Sequence, residues 1–401
     1  MASHSIARGP LGALSGGVTP LPIPNRVVKP VSADGTWGKL TPGRVGRCPV
    51  YQKIVLAGDL LFGTRTELTA PWSRRTLGAG LFVPERRISV KKIVTIGGGT
   101  GQFALLTGLK TIPDLDITAV VTMADSGGSS GVLRTERGAL PPGDVLRCLL
   151  ALATADPDVV RLFEYRLAEG GGIGGHTIGN LALTGSAEQQ QSFLDGIGTL
   201  AKILDVHGRV LPVTTERVEL LARLADGTVL RGEHEIDQTD GNGRARITEV
   251  WLEPTATALP EVLEVIRSAD AVIAGPGDLY TSIIPNVLVG SMMDALRALR
   301  GRLIFVVNAM TKRGETDGFH ARNFLEAFER YAGRRVDAVI CNTRPPAPDI
   351  AEKYAREGAT FVPPTNGEWD DRAVIAFPLL SDGPLARHDP IKLAHVIRAL
   401  L

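Results

Sequence analysis

The chain has 401 residues, with 44 Lys plus Arg against 43 Asp plus Glu and a formal net charge of +1. That balance removes the electrostatic footing for a nucleic-acid or membrane-surface partner, while the length supports one large α/β domain or two domains. Three cysteines, Cys48, Cys148 and Cys341, stand far apart without a CxxC pair, which argues against a zinc site or a disulfide framework and fits a reducing cytoplasm.

Residues 1–88 are rich in Gly, Pro, Arg and Ser, with Asp34 the sole acid before Asp59, and they lack sustained periodicity. They are expected to be a disordered leader, of transit-peptide type or a translated upstream region, ahead of a folded domain over residues 89–401. Along the whole chain no apolar run approaches the roughly 20 residues needed to span a bilayer, so no membrane insertion is expected. Residues 93–96 form a β-branched apolar run suited to a central parallel strand, Gly97, Gly98, Gly99, Thr100 and Gly101 follow at once, and Phe103, Leu106 and Leu109 then recur at helical spacing. A strand, a glycine turn and a helix start make a phosphate cradle, because the unpaired N–H groups at a helix N-terminus attract anions. A tight structural turn is the competing reading. The run fits neither common fingerprint, since Gln102 stands where GxGxxG needs glycine and the Lys-Ser/Thr pair of a P-loop is absent.

A second strand, residues 117–123, leads into another glycine-rich loop, 125–131. Helices are expected over 145–153, 158–166 and 188–204, with a flexible glycine loop at 170–175. Between residues 208 and 252 the apolar period shifts toward two around an Asp226-Gly227 hairpin signal, which reads as an antiparallel insertion spanning about 205–252. Helical spacing returns at 260–268, and strands at 271–274, 303–307 and 336–341 end in polar segments, before helices at 349–356 and 391–401. The alternation predicts an α/β protein: a Rossmann-like, doubly wound, mostly parallel sheet with a small antiparallel β insertion.

Ligands of such sheets bind beyond the carboxyl ends of the strands, so four polar segments should converge there. The first is Gly98, Gly99, Thr100 and Gly101. The second holds Asp125, suited to a ribose hydroxyl or to capping its own turn, with Ser126, Gly128, Ser129, Ser130 and Gly131 as an anion-binding concavity and Arg134 as nearby charge. The third holds Gly275, Gly277, Asp278, Tyr280, Thr281 and Asn286, and the fourth begins at Asn308. Asp144 and Arg147 join the candidate ligand-binding set, or else pair with each other one helical turn apart. Asn180 joins it too. It shares a face with His176 if residues 177–183 are helical, and the lone histidine reads as structural or as an acid/base group.

Seven ordered motifs, GGGTG, ADSGGSSGVLR, LPPGDVLR, GHTIGNL, HGRVLPVT, GPGDLYTSIIPN and NAMTKRGETDGF, with a late RHDP at residues 387–390, run from Lys91 to the carboxyl terminus. Together they resemble the gluconeogenesis factor family, the UDP-sugar-binding relatives of 2-phospho-L-lactate transferase. The resemblance implies a nucleotide-sugar ligand, UDP-N-acetylglucosamine foremost, and a cytoplasmic role linking carbon metabolism to cell-wall synthesis and cell shape. It would set the diphosphate over residues 98–101 and 129–131, with Tyr280, Thr281 and Asn286 near the sugar or base. Two residues depart from the family pattern: Ser126 stands where relatives commonly have a second Asp, and Asp278 where many have Ser. A transferase of phosphorus-containing groups is the alternative, using Mg²⁺ on Asp125, Asp144 or Asp278 and holding the transferred group with Arg134 or Arg147; Asp125 and Asp278 are the leading metal candidates. A nicotinamide-dependent oxidoreductase fits the fold without its glycine fingerprint. A homo-oligomer and a regulatory protein partner both remain open.

Overall fold

Ile93, Val94 and Ile96 are at most 2% exposed because the strand that carries them lies inside the sheet, covered on both faces. The computed structural model describes residues 90–238, 243–364, 369 and 372–401; the expected leader over 1–88 lies outside the described residues. In chain order the strands are β1 (Lys91–Gly97), β2 (Leu115–Val121), β3 (Arg209–Pro212), β4 (Glu219–Leu224), β5 (Val229–Arg231), β6 (Ile247–Glu253), β7 (Ala271–Ala274), β8 (Arg302–Val306), β9 (Ala338–Asn342) and β10 (Ala373–Phe377).

Seven of them form one parallel sheet in the order β10-β9-β8-β7-β1-β2-β3. From β1 the chain steps outward to β2 and β3, returns to the centre as β7, and then walks the other way to β10. The direction of winding reverses between β1 and β7, and a crevice opens at such a reversal. Register makes the crevice functional. Ile96 lies opposite both Val120 and Ala274, so the segments after β1, β2 and β7 leave the same edge of the sheet.

The helix Gly99–Leu109 buries Leu105, Leu106 and Leu109. It also buries Gln102, whose Nε2 donates to Thr95 Oγ1 at 3.0 Å and Val120 O at 3.1 Å, so the residue that breaks the dinucleotide fingerprint is satisfied inside the core. Residues 209–212, expected within the antiparallel insertion, are instead the edge strand of the main sheet, paired parallel to β2. Their burial explains the difference, because Val210, Leu211 and Pro212 are all covered and read as a continuous apolar run rather than an alternation. The antiparallel unit is the three-stranded sheet β5-β4-β6, turned at Asp226-Gly227 and followed after β5 by the short helix Glu233–Asp237.

One expected helix, 188–204, is two. Ile178–Gln190 ends as Gln191 enters the left-handed region at φ 53°, and Ser192 restarts the chain by accepting the N–H of Asp195 for Phe193–Ile203. The glycine loop after β2 continues into a helix that periodicity did not reveal, Gly128–Arg137. No helix among the described residues is long and apolar enough to cross a membrane.

Candidate functional site

The segments after β1, β7 and β8 are fastened to one another before any ligand is considered. Asn286 is fully buried and its Nδ2 donates to Gly97 O at 3.1 Å and Ser282 O at 2.9 Å, tying the end of β1 to the turn after β7. Asn308 Oδ1 accepts the N–H of Gly277 at 3.3 Å, which adds the end of β8. Two glycines let the parts meet. At Gly99 the backbone takes φ +62°, where L side chains are strained, and a Cβ on Gly101 would overlap the carbonyl oxygen of Pro276. The helix start is thus pressed against the β7 turn with its N–H groups at the crevice floor.

The crevice has two lobes, of about 690 and 520 Å³. The larger is walled by Gly99, Thr100, Phe103, Asp125, Ser129, Ser130, Asp144, Arg147 and Asn180, with Thr281 and Ser282 from the β7 turn and Glu233, His234 and Asp237 from the insertion. The smaller runs over Gly101, Gly277, Asp278, Asn308, Thr311, Lys312, Tyr354 and His388. Thr100, Asp237, Asp278 and Arg387 line both, so the lobes are two ends of one space.

Its electrostatics are dominated by carboxylates. Asp125 Oδ1 accepts the N–H of Gly127 at 2.9 Å, so the residue caps its own turn while lining the crevice. Asp144 pairs with Arg147 Nη1 at 3.3 Å, yet burial, followed by the charge of Asp125, pushes its pKa up to about 6 against the pull of Arg147 and the Gly99 N–H. Burial and Asp125 likewise push Glu233 up to about 7. The Asp278 carboxyl is raised by desolvation, then by Glu315, Glu233 and Asp144. Lys312 Nζ lies 2.8 Å from Asp278 Oδ2 and 3.1 Å from Glu315 Oε1, and also bonds Asp237. Asp237, Asp278 and Glu315 offer oxygens within 4.8 Å of one another, and the buried Glu315 Oε2 has no hydrogen-bond partner. This is an all-oxygen donor set of the kind that holds Mg²⁺, but the Lys312 ammonium already bridges it and would have to move aside.

Of the residues singled out in the sequence, Gly99, Thr100, Gly101, Asp125, Gly128, Ser129, Ser130, Asp144, Arg147, Asn180, Gly277, Asp278, Thr281 and Asn308 come together on the crevice wall. Seven others line neither lobe. Gly98 lies beneath Asp144, whose Oδ2 is 2.5 Å from where a Cβ would stand. Ser126 Oγ accepts the N–H of His234 at 3.0 Å and joins the β2 loop to the insertion, while Gly131 donates its N–H to Gly127 O. Arg134 donates to Val218 O instead of facing the crevice. Gly275 makes the turn out of β7 at φ +77°. Tyr280 is buried, its hydroxyl pushed up to about 12 by desolvation and then by Tyr331, and Asn286 is the clamp described above. Neither Tyr280 nor Asn286 is therefore a wall of the crevice, while the resemblance implies only that they lie near the sugar or base. Conversely, Glu233, His234, Asp237, Lys312, Arg387 and His388 line it without having been anticipated as site residues. Lys312 and the Arg387-His388 pair do stand in recognised motifs, whereas nothing local marks the insertion helix. His388 is 6% exposed, its pKa lowered to about 4 by burial, and its Nε2 lacks a partner.

Comparison with known proteins agrees with this architecture. The family profile of 2-phospho-L-lactate transferase CofD matches residues 93–377. A putative gluconeogenesis factor of Thermotoga maritima is 43% identical over 316 residues, covering 77% of this chain and 99% of that protein. The gluconeogenesis factor of Halalkalibacterium halodurans is 42% identical over 271 residues, covering 67% of this chain and 83% of the relative. A crystal structure of a Bacillus halodurans protein superimposes with a TM-score of 0.74 at 37% identity, covering 77% of this chain and 99% of the other. With the matched region containing the β1/β7 turn, the β2 loop and the crevice between them, the chain belongs to the gluconeogenesis factor family, on the fold of 2-phospho-L-lactate transferase CofD.

Proposed function

We propose that the crevice binds a nucleotide sugar, UDP-N-acetylglucosamine foremost, and that the protein is a cytoplasmic regulator linking carbon metabolism to cell-wall synthesis and cell shape. The ligand identity and cellular role follow the family resemblance. The observation that carries the binding reading is the two-lobed crevice at the β1/β7 reversal, with its lobes meeting over Thr100 at the start of a helix. A two-part ligand with a central diphosphate fits that shape. In this reading the diphosphate lies on the helix N-terminus with Arg147 and Arg387 in reach, the nucleoside occupies the Asp125 side, and the sugar lies toward Asn308 and His388. The acids need no separate neutralising ion wherever Lys312 or a proton already balances them.

A thermal-shift panel of UDP-sugars, NAD(P) and phospholactyl nucleotides, with and without Mg²⁺, tests the proposal. UDP-N-acetylglucosamine at about 100 times its dissociation constant is expected to add about 2.7 kcal/mol to stability. A melting point that rises with NAD(P) and ignores UDP-sugars would overturn it.

The acid trio supports a second reading, a Mg²⁺-dependent transferase with the metal on Asp237, Asp278 and Glu315. Stabilisation by a phospholactyl nucleotide only when Mg²⁺ is present would favour it.

A further inference from the structure

On the β2 side of the larger lobe three side chains form a hydrogen-bonded group. Ser129 Oγ lies 2.7 Å from His176 Nδ1, and Asn180 Nδ2 donates to the same oxygen at 3.0 Å. His176 and Asn180 are 4% and 5% exposed, Ser129 and Asn180 line the lobe, and Asn180 Oδ1 is buried without a hydrogen-bond partner. Thr177 caps the helix that carries Asn180 by accepting its N–H at 3.1 Å, which fixes the group on a rigid element. A buried amide oxygen without a donor is costly, and Asn180 belongs to the wall of the lobe.

A serine beside a histidine can be a nucleophile and its base, but that arrangement needs a third group to orient the imidazole. Among the described residues no carboxylate bonds His176, and the third member, Asn180, holds the serine instead. The remaining valences indicate recognition. With the His176 proton on Nε2, Ser129 donates to Nδ1 and accepts from Asn180, and its remaining lone pair is an acceptor toward the lobe that it lines. Acceptors repel a phosphate oxygen and fit a donor. Phe103, Leu146 and Leu150 line the same lobe and give it apolar surface for a flat ring.

We propose that Ser129, His176 and Asn180 recognise a hydrogen-bond-donating group, a ribose hydroxyl or a ring N–H, on the nucleoside half of the ligand and so decide which nucleoside the crevice accepts. The proposal rests on the nucleotide-sugar reading and differs from the resemblance, which put diphosphate at this loop. Ser129 touches the ligand; His176 and Asn180 are positioning residues acting through Ser129.

Titration calorimetry on the full chain with UDP and its 2′-deoxy, 3′-deoxy and N3-methyl analogues tests it. The analogue that lacks the recognised donor should bind at least about tenfold more weakly than UDP, because the site's acceptor is left unpaired. The sugar and base analogues separate the two sources of the donor. In Ser129→Ala the discrimination should fall below about twofold, and in Asn180→Leu and His176→Gln it should be reduced, with circular dichroism as the folding control. A purely structural role would lower all affinities together and leave the ratios alone. Wild-type ratios preserved in folded variants, or wild-type protein that binds all analogues equally, overturn the recognition site alone. A wild-type protein that binds no uridine nucleotide overturns the nucleotide-sugar reading and this proposal with it.

Discussion

Two glycines two positions apart carry different burdens, although in the sequence they look equivalent. Gly99 has room: a Cβ there would stand 3.7 Å from Ser282 Oγ and 4.0 Å from Arg147 Nη1, so its constraint is the positive φ and the ligand above it. Gly101 has none, since its Cβ would meet the backbone of Pro276. Gly99→Val is therefore expected to fold with a loss of about 1–2 kcal/mol and to lose nucleotide binding, while Gly101→Ala pushes the helix away from the β7 turn and costs about 1–3 kcal/mol. Gly172→Val, at a position with nothing within 4 Å, is the control that should change neither. Urea unfolding and titration calorimetry on the three variants decide this; UDP-sugar affinity unchanged in folded Gly99→Val would mean that the turn is only structural.

Elements were most legible where one periodicity ran unbroken. β1, β2 and β7 are short apolar runs closed by glycine or polar residues; β1 and β7 lie where their patterns indicate, and β2 begins and ends two residues earlier than expected. The break at Gln191 was not legible, because the flanking helices share an apolar spacing and the left-handed residue is a glutamine rather than a glycine. Gln191→Gly should accordingly raise stability by about 0.5–1 kcal/mol, since glycine adopts that conformation without side-chain strain. A lower urea midpoint would show instead that the Gln191 side chain holds the two helices together. Likewise the helix at Gly128–Arg137 has no clear signal in the sequence, because a Ser/Gly-rich start has low helix propensity; here it is the tertiary setting of Ser129 and Ser130 that makes it a helix.

For the whole molecule, the acids that converge from separate parts of the chain set its response to pH. The folded-state pKa values of Asp144 and Glu233, about 6 and about 7, lie above the ordinary 3.8 and 4.5. Between the unfolded and folded values the native state binds more protons, so stability is greatest at the acid end of that window and falls as pH rises from about 4 to 7. Glu233→Gln should flatten the fall by on the order of 1 kcal/mol, allowing for solvent screening of a half-buried group. Urea midpoints at pH 5 and pH 7.5 for both proteins check it, and an unchanged slope in the variant would place the titration elsewhere. The sequence by itself determined the parallel α/β class, the glycine turn at residues 97–101 and the four segments at strand ends, because burial on both faces and the turn out of a strand each leave a local signature. Only the tertiary structure decided which of those residues face the ligand. Tyr280 and Asn286 turned inward to pack and clamp, while Glu233 and Asp237 arrived from an insertion more than a hundred residues beyond the first glycine turn and Arg387 from the far end of the chain. Side-chain direction depends on neighbours brought close by the winding of the sheet, and no spacing within a short segment records that.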